Sequence, residues 1–202
     1  MNWPSRERWE SVWKAAGASP PECYDRLATA YAEPQRHYHN QQHIGECLEE
    51  FDHTRHLARQ PAVVELALWF HDAIYDPRRS DNEEQSAALG KRCARESGLS
   101  DDFAETLVKL VMATKTHEVA GDSDAALVVD IDLSILGREE PRFAEYERRI
   151  REEYAWVAQA VFAAKRAEIL QRFCERERIF SNEWVLEEVR APGATESGKL
   201  DW

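Results

Sequence analysis

Leu66-Ala67-Leu68-Trp69-Phe70-His71-Asp72-Ala73-Ile74-Tyr75 is the stretch on which the reading of this chain turns. With Pro61 as a start signal, residues 61 to 75 read as a helix that is apolar almost all round, and such a helix belongs at the centre of a domain. His71 and Asp72 break the run with two adjacent polar groups. A buried aspartate is costly without a partner, which a cation or a hydrogen-bonded imidazole supplies.

Outward from this stretch the apolar period is helical nearly everywhere. Upstream, helices are expected over about 5 to 17, from Pro20-Pro21 to Glu33-Pro34, and from Asn40 to Leu57. Downstream, Ser80-Asp81-Asn82-Glu83 and Ser100-Asp101-Asp102 read as capping signals for helices reaching Glu96 and Thr116. Asp122 or Ser123 opens a seventh through Leu136, Pro141 an eighth to about Val157, and a ninth runs to Arg178. Leu127-Val128-Val129-Asp130-Ile131 is the best strand candidate, but it reads better as the buried part of the seventh helix. The expected class is therefore all-α, one domain over residues 1–190, with 191–202 a flexible, aperiodic tail.

The chain has 202 residues, 43% hydrophobic and 32% charged, which suits one domain with a substantial core. A net charge of -12 argues against binding a nucleic-acid polymer or an anionic membrane surface, since excess Lys and Arg hold both. No signal peptide or spanning run is visible, so a cytoplasmic protein is expected. Cys23, Cys47, Cys93 and Cys174 are widely spaced and read as free thiols. A monomer or a homodimer suits the composition.

His39 and His43, in Tyr38-His39-Asn40-Gln41-Gln42-His43, are four apart, so on one helix they share a face. Taken with His71-Asp72 and a later aspartate, this resembles the metal-binding signature of the HD superfamily of phosphohydrolases. Tyr38-His39-Asn40-x-x-His43 also resembles a motif of the cyclic-nucleotide phosphodiesterases, and Asp132-Leu133-Ser134 their last ligand tripeptide. The chain is most similar to a group of small stand-alone bacterial predicted HD phosphohydrolases, over roughly residues 5 to 180. The resemblance implies a compact HD-domain, phosphodiesterase-like helical bundle with His43, His71, Asp72 and Asp132 as ligands. Two imidazoles and two carboxylates suit a divalent ion such as Mn, Mg, Fe, Zn, Co or Ni. Asp130 competes with Asp132, because neighbours two apart cannot share a helical face.

The resemblance further implies hydrolysis of a phosphoester or phosphoanhydride in a small phosphorylated, nucleotide-like substrate. His39 matches a histidine that protonates the leaving oxygen, a task suited to imidazole. Arg36, beside His37, and Lys115 are candidates to hold phosphoryl oxygens. His117 is a candidate for a second metal or for substrate, and Asp76 and Glu83 could orient a second cation, although capping also explains such acidic groups. Glu153, among Tyr146, Ile150, Arg151, Tyr154 and Val157, reads as part of a packed and solvated surface. Two other functions fit the same residues: a nucleotide-sensing module without turnover, and a di-iron oxygenase that would need further ligands.

Overall fold

The computed structural model describes residues 3–117, 119 and 121–182. Among them are nine α-helices and no strand: α1 (Arg6–Ala15), α2 (Tyr24–Ala30), α3 (Gln41–Thr54), α4 (Pro61–Phe70), α5 (Asn82–Glu96), α6 (Asp101–Thr116), α7 (Ser123–Asp132), α8 (Glu140–Glu153) and α9 (Gln159–Cys174). The expected flexible tail at 191–202 lies outside the described residues, as does the end of the expected 1–190 unit. No helix among the described residues is long and apolar enough to cross a membrane.

The all-apolar stretch is the central helix. Val63, Val64, Leu66, Ala67, Leu68, Trp69 and Phe70 of α4 are fully buried, and α1, α3, α5, α6 and α7 pack around them. Trp9, Trp13 and Trp69 meet edge to face at centroid distances of 5.2–5.3 Å, joining α1 to α4. Each such aromatic pair is worth about 0.5–1.5 kcal/mol beyond the area it buries. Gly90 of α5 lets that helix close on α4 and α6, since a Cβ there would stand 3.2 Å from Leu107 and 3.3 Å from Phe70.

Two polar clamps fix α4 lengthwise. Asp124 of α7 accepts the backbone N–H groups of Arg59 and Gln60 just before its start, at 2.8 and 2.9 Å. At the other end Arg36, 5% exposed, donates to the carbonyls of Asp72 at 2.6 Å and Ala73 at 3.2 Å. Carbonyls past a helix end have no helical partner, so a buried guanidinium suits them.

The helices end earlier than the periodicity suggests. α4 stops at Phe70 rather than 75, with His71 as its C-cap and the following carbonyls taken by Arg36. α3 begins at Gln41, because Asn40 caps it by accepting from the Gln42 N–H, which leaves His39 in the preceding turn. α7 ends at Asp132 and tightens into a 3-10 turn over Leu133–Gly137. α5 lacks its expected side-chain cap, since Asp81 faces Arg79 instead.

A second, smaller core holds Tyr38, Val129, Leu133, Tyr146, Ile150 and Phe180. α7 serves both cores, with Leu127, Val128 and Ile131 in the larger and Val129 in the smaller. Asp132 closes that helix between them. Cys23, Cys47 and Cys93 are buried free thiols and Cys174 an exposed one.

Candidate metal centre

Four side chains remote in sequence converge where the two cores meet. His43 comes from the first turn of α3, His71 from the C-cap of α4, Asp72 from the next residue and Asp132 from the end of α7. The two Nε2 atoms are 3.1 Å apart. Asp72 Oδ2 lies 3.5 Å from His43 Nε2 and 3.2 Å from His71 Nε2, and Asp132 Oδ1 lies 3.3 and 3.5 Å from the same atoms. Ligands about 2.1 Å from one ion, at octahedral to tetrahedral angles, stand roughly 3.0–3.4 Å from one another. The observed separations, 3.1–3.5 Å, lie close to that spacing.

Second contacts orient the donors. His71 Nδ1 is 2.9 Å from the Leu68 carbonyl, which can only accept, so the proton sits on Nδ1 and Nε2 offers its lone pair. The imidazoles are 2% and 1% exposed, while the Asp72 and Asp132 side chains are 14% and 15% exposed. The carboxylate side is thus the open one.

His43, Cys47, His71 and Asp132 also form a group whose donor atoms all lie within 4.8 Å of one another. Cys47 Sγ, however, is 3.8 Å from both nitrogens of the His43 ring. A sulfur equidistant from both lies off the Nε2 lone-pair axis, and an ion about 2.1 Å along that axis stays roughly 4 Å or more from it, against about 2.3 Å for a Zn–S bond. Asp72 therefore completes the set better than Cys47. The buried group of His43, Cys47, His71 and Asp132 can hold a metal ion, and Asp72 stands against its two imidazoles.

Charge balance agrees with that chemistry. Burial works against charge on His71, yet Asp72 and Asp132 raise its pKa well above the ordinary imidazole range. Burial opposes charge on His43 too, but Cys47, Tyr38 and the two carboxylates raise it well above its usual value. Against the same burial, Asp72 is held well below the ordinary carboxylate range by His71, His39 and His43, and Asp132 by His117, His43 and His71. Without an ion, protons occupy the place of a dication.

Asp130 is not in this group. It is fully buried and accepts from the Ser181 N–H at 2.9 Å and from Asn182 N–H and Nδ2 at 2.8 and 2.7 Å. The two aspartates face opposite sides of α7, one to the ion site and one to the segment after α9.

His39 lies beside the centre, its ring centroid 5.9 Å from that of His43. It is placed by a partner that sequence reading assigned to a packed surface. Glu153, the last residue of α8, accepts from the Tyr38 N–H at 2.7 Å, the His39 N–H at 2.9 Å and the Tyr75 hydroxyl at 2.9 Å, and its Oε2 meets His39 Nδ1 at 2.7 Å. Tyr75 stacks on the imidazole at 4.2 Å. Burial opposes the Glu153 charge, but His39 and the two backbone N–H groups hold its pKa below the usual value. The one available signal was a carboxylate within the helical period of inward-facing Tyr146 and Ile150.

Other expected residues take different places. Arg36 is committed to Asp72, Ala73 and Glu33, so it braces the backbone of the centre instead of offering a fork to a phosphate. Lys115 donates to the Ser80 carbonyl at 2.8 Å and pairs with Glu84, away from the four ligands. Asp76 accepts from the Arg78 N–H inside its own loop, and Glu83 lies in the first turn of α5. His117 does reach the site: its Nε2 is 3.2 Å from Asp132 Oδ2, the oxygen turned away from the other imidazoles. Its backbone is left-handed, φ 52°, a conformation rare outside glycine and concentrated at functional sites.

No protein-family profile, curated protein or solved structure matches this chain.

Proposed function

We propose that this protein is a metal-dependent phosphohydrolase acting on a small phosphorylated, nucleotide-like molecule. The observation that carries the reading is the juxtaposition of a four-donor His/Asp set at ion-binding spacing with a separate histidine oriented by a buried carboxylate. His43, His71, Asp72 and Asp132 would hold the ion. A dication there supplies Lewis acidity to phosphoryl oxygens and to a water.

The chain's own residues divide the rest of the work. With Nδ1–H donated to Glu153, His39 keeps Nε2 free, and as the imidazolium it would give the Nε2 proton to the leaving oxygen; a positioned general acid of this kind contributes about 10²–10⁴-fold. Tyr75 and the Tyr38 and His39 backbone N–H groups hold Glu153 in place, so the imidazole cannot turn without breaking buried bonds. Arg36 keeps Asp72 in register with His71 by fixing the carbonyl of Asp72.

Metal analysis of protein purified without chelator, followed by a phosphate-release screen across nucleotides, tests the reading. A bound dication and metal-stimulated release are expected. His71→Ala should lose both, whereas His39→Ala should keep the metal and slow turnover about 100-fold. Absence of bound metal together with no metal-stimulated release would remove the proposal.

A further inference from the structure

A cleft of about 340 Å³ opens beside His39, between α8 and α9. Its walls are Tyr146, Ile150 and Tyr154 from one face of α8 and its end, and Val161, Phe162 and Ile169 from α9, with Trp156 in the connection and the charged Lys165 and Arg166 of α9 beside them. Trp156, Val161 and Ile169 are the large apolar side chains left exposed among the described residues, at 53%, 56% and 40%, and all three line this one cleft. Scattered exposed apolar residues are ordinary, but their concentration at one concave site marks a surface that something covers. Its size lies at the low end of small-molecule pockets, roughly 300–1,000 Å³.

The cleft is held open by its own framework. Arg151 donates to the carbonyls of Tyr154 at 2.5 Å and Val157 at 3.0 Å and to Gln159 at 2.7 Å, which fixes the turn between the helices. The Tyr154 and Trp156 rings are 6.3 Å apart and within 30° of parallel, and Phe162 stands 6.2 Å from Tyr154. At the rim the Arg78 guanidinium lies 5.4 Å over the Trp156 ring and has no carboxylate partner among the described residues. In a chain of net charge -12, an unpaired cation at an apolar cleft suits an anionic ligand with a ring.

We infer that this cleft binds the flat aromatic part of the substrate's leaving group, a nucleobase or a ring of similar size, whose oxygen faces His39. The inference rests on the hydrolase reading for the direction in which the leaving group points. The occupant is set by two features together. His39 is part of the lining, so whatever fills the cleft abuts its imidazole, and the walls are mainly aromatic and aliphatic, their two cations Lys165 and Arg166 already being paired with Glu168 and Glu147.

Calorimetric titration with adenosine 5′-monophosphate and with ribose 5-phosphate, alongside tryptophan quenching by the nucleotide, separates this from other occupants, because the two ligands share a phosphate and a primary leaving oxygen and differ by the base. The expected result is binding of the nucleotide about tenfold or more tighter, as base stacking on aromatic rings provides. Val161→Asp, at an exposed position of the cleft wall, should abolish that preference. Trp156→Phe should bind but lose most of the quench. Equal affinities for the two ligands would overturn the inference while leaving metal-stimulated phosphate release intact. A tenfold preference without phosphate release under any metal would uphold the cleft and sink the hydrolase reading. A dimer in sedimentation that Val161→Asp dissociates and the nucleotide does not displace would assign the cleft to a second copy of the chain and overturn it.

Discussion

Replacing Glu153 by Gln keeps shape and volume and changes one oxygen into an NH₂ group. Oε1 can still accept the N–H groups of Tyr38 and His39, at 2.7 and 2.9 Å. The new amide, in place of Oε2, faces two former donors, His39 Nδ1 at 2.7 Å and the Tyr75 hydroxyl at 2.9 Å. Tyr75 can rotate its hydroxyl and accept, so the conflict falls on the imidazole, which must move its proton from Nδ1 to Nε2 or turn away. All four bonds lose their charge assistance, each falling from about 1.5–3 to about 0.5–1.5 kcal/mol, and relief of a buried charge offsets part of that, leaving a net loss of roughly 2–3 kcal/mol. Urea unfolding should show that loss, imidazole ¹⁵N spectra should show the tautomer change at His39, and metal content should not change. The same carboxylate gives stability its acid dependence. Its folded pKa is depressed, so its contribution is complete above the unfolded value of about 4.3 and disappears as pH falls through that value to the folded one. Glu153→Gln should flatten this part of the acid limb. An unfolding free energy within about 0.5 kcal/mol of the parent, with the Nδ1–H tautomer retained, would refute the orienting role.

Asp130→Asn should leave metal content intact and lower stability by about 2 kcal/mol, because at least one backbone N–H loses its acceptor while relief of the buried charge offsets part of the loss. For a chain of this size that is roughly 4–8 °C in the unfolding midpoint; loss of metal instead would make Asp130 a ligand. Gly90→Ala gains about 1 kcal/mol of helix propensity but forces a methyl against Leu107 and Phe70, where overpacking costs about 1–3 kcal/mol, so a net decrease of about 1 kcal/mol is expected in thermal melts. Protons on His43 and His71 compete with the ion, since both folded pKa values are raised; apparent metal affinity should rise with pH across the neutral range, and calorimetry in buffers of different ionisation enthalpy should register proton release.

The periodicity that made residues 61 to 75 a buried helix also made the fold all-α, and that much was legible because burial and helical spacing are local properties of sequence. Helix ends were not, because tertiary groups set them. α4 stops where Arg36, 35 residues before His71, takes the Asp72 and Ala73 carbonyls. His39 and His43 were read as one helical face, yet Asn40 caps α3 between them, and that break lets His39 turn to α8 while His43 turns to α4. The convergence of His43, His71, Asp72 and Asp132 was legible as a motif. Glu153 was not, because a carboxylate ending a charged helix looks solvated until its burial is known. Arg36 was misjudged for the opposite reason, since a guanidinium beside histidines suggests phosphate when its neighbours in space are carbonyls.

The positions of these groups also bear on which ligand sign the site favours. His71 follows the last residue of α4, His117 follows α6, Asp132 ends α7 and Glu153 ends α8. Four helix C-termini therefore lie at or beside the group, each the negative end of a helix dipole even though its last carbonyls are hydrogen-bonded, while α3 contributes an N-terminal turn. The resulting field favours a cation by about 0.3–1 kcal/mol per helix end, too little to bind a dication but in the same direction as the two ligating carboxylates. Arg36 cancels the carbonyls of Asp72 and Ala73 at one of those ends, so the field is tuned as well as built. Without an ion, protons on His43 and His71 balance the two carboxylates but give a phosphate no Lewis acid, so the proposed reaction would take the dication first and the phosphate second. Substrate affinity measured with and without metal should then differ far more than metal affinity measured across a series of variants in the α8–α9 cleft.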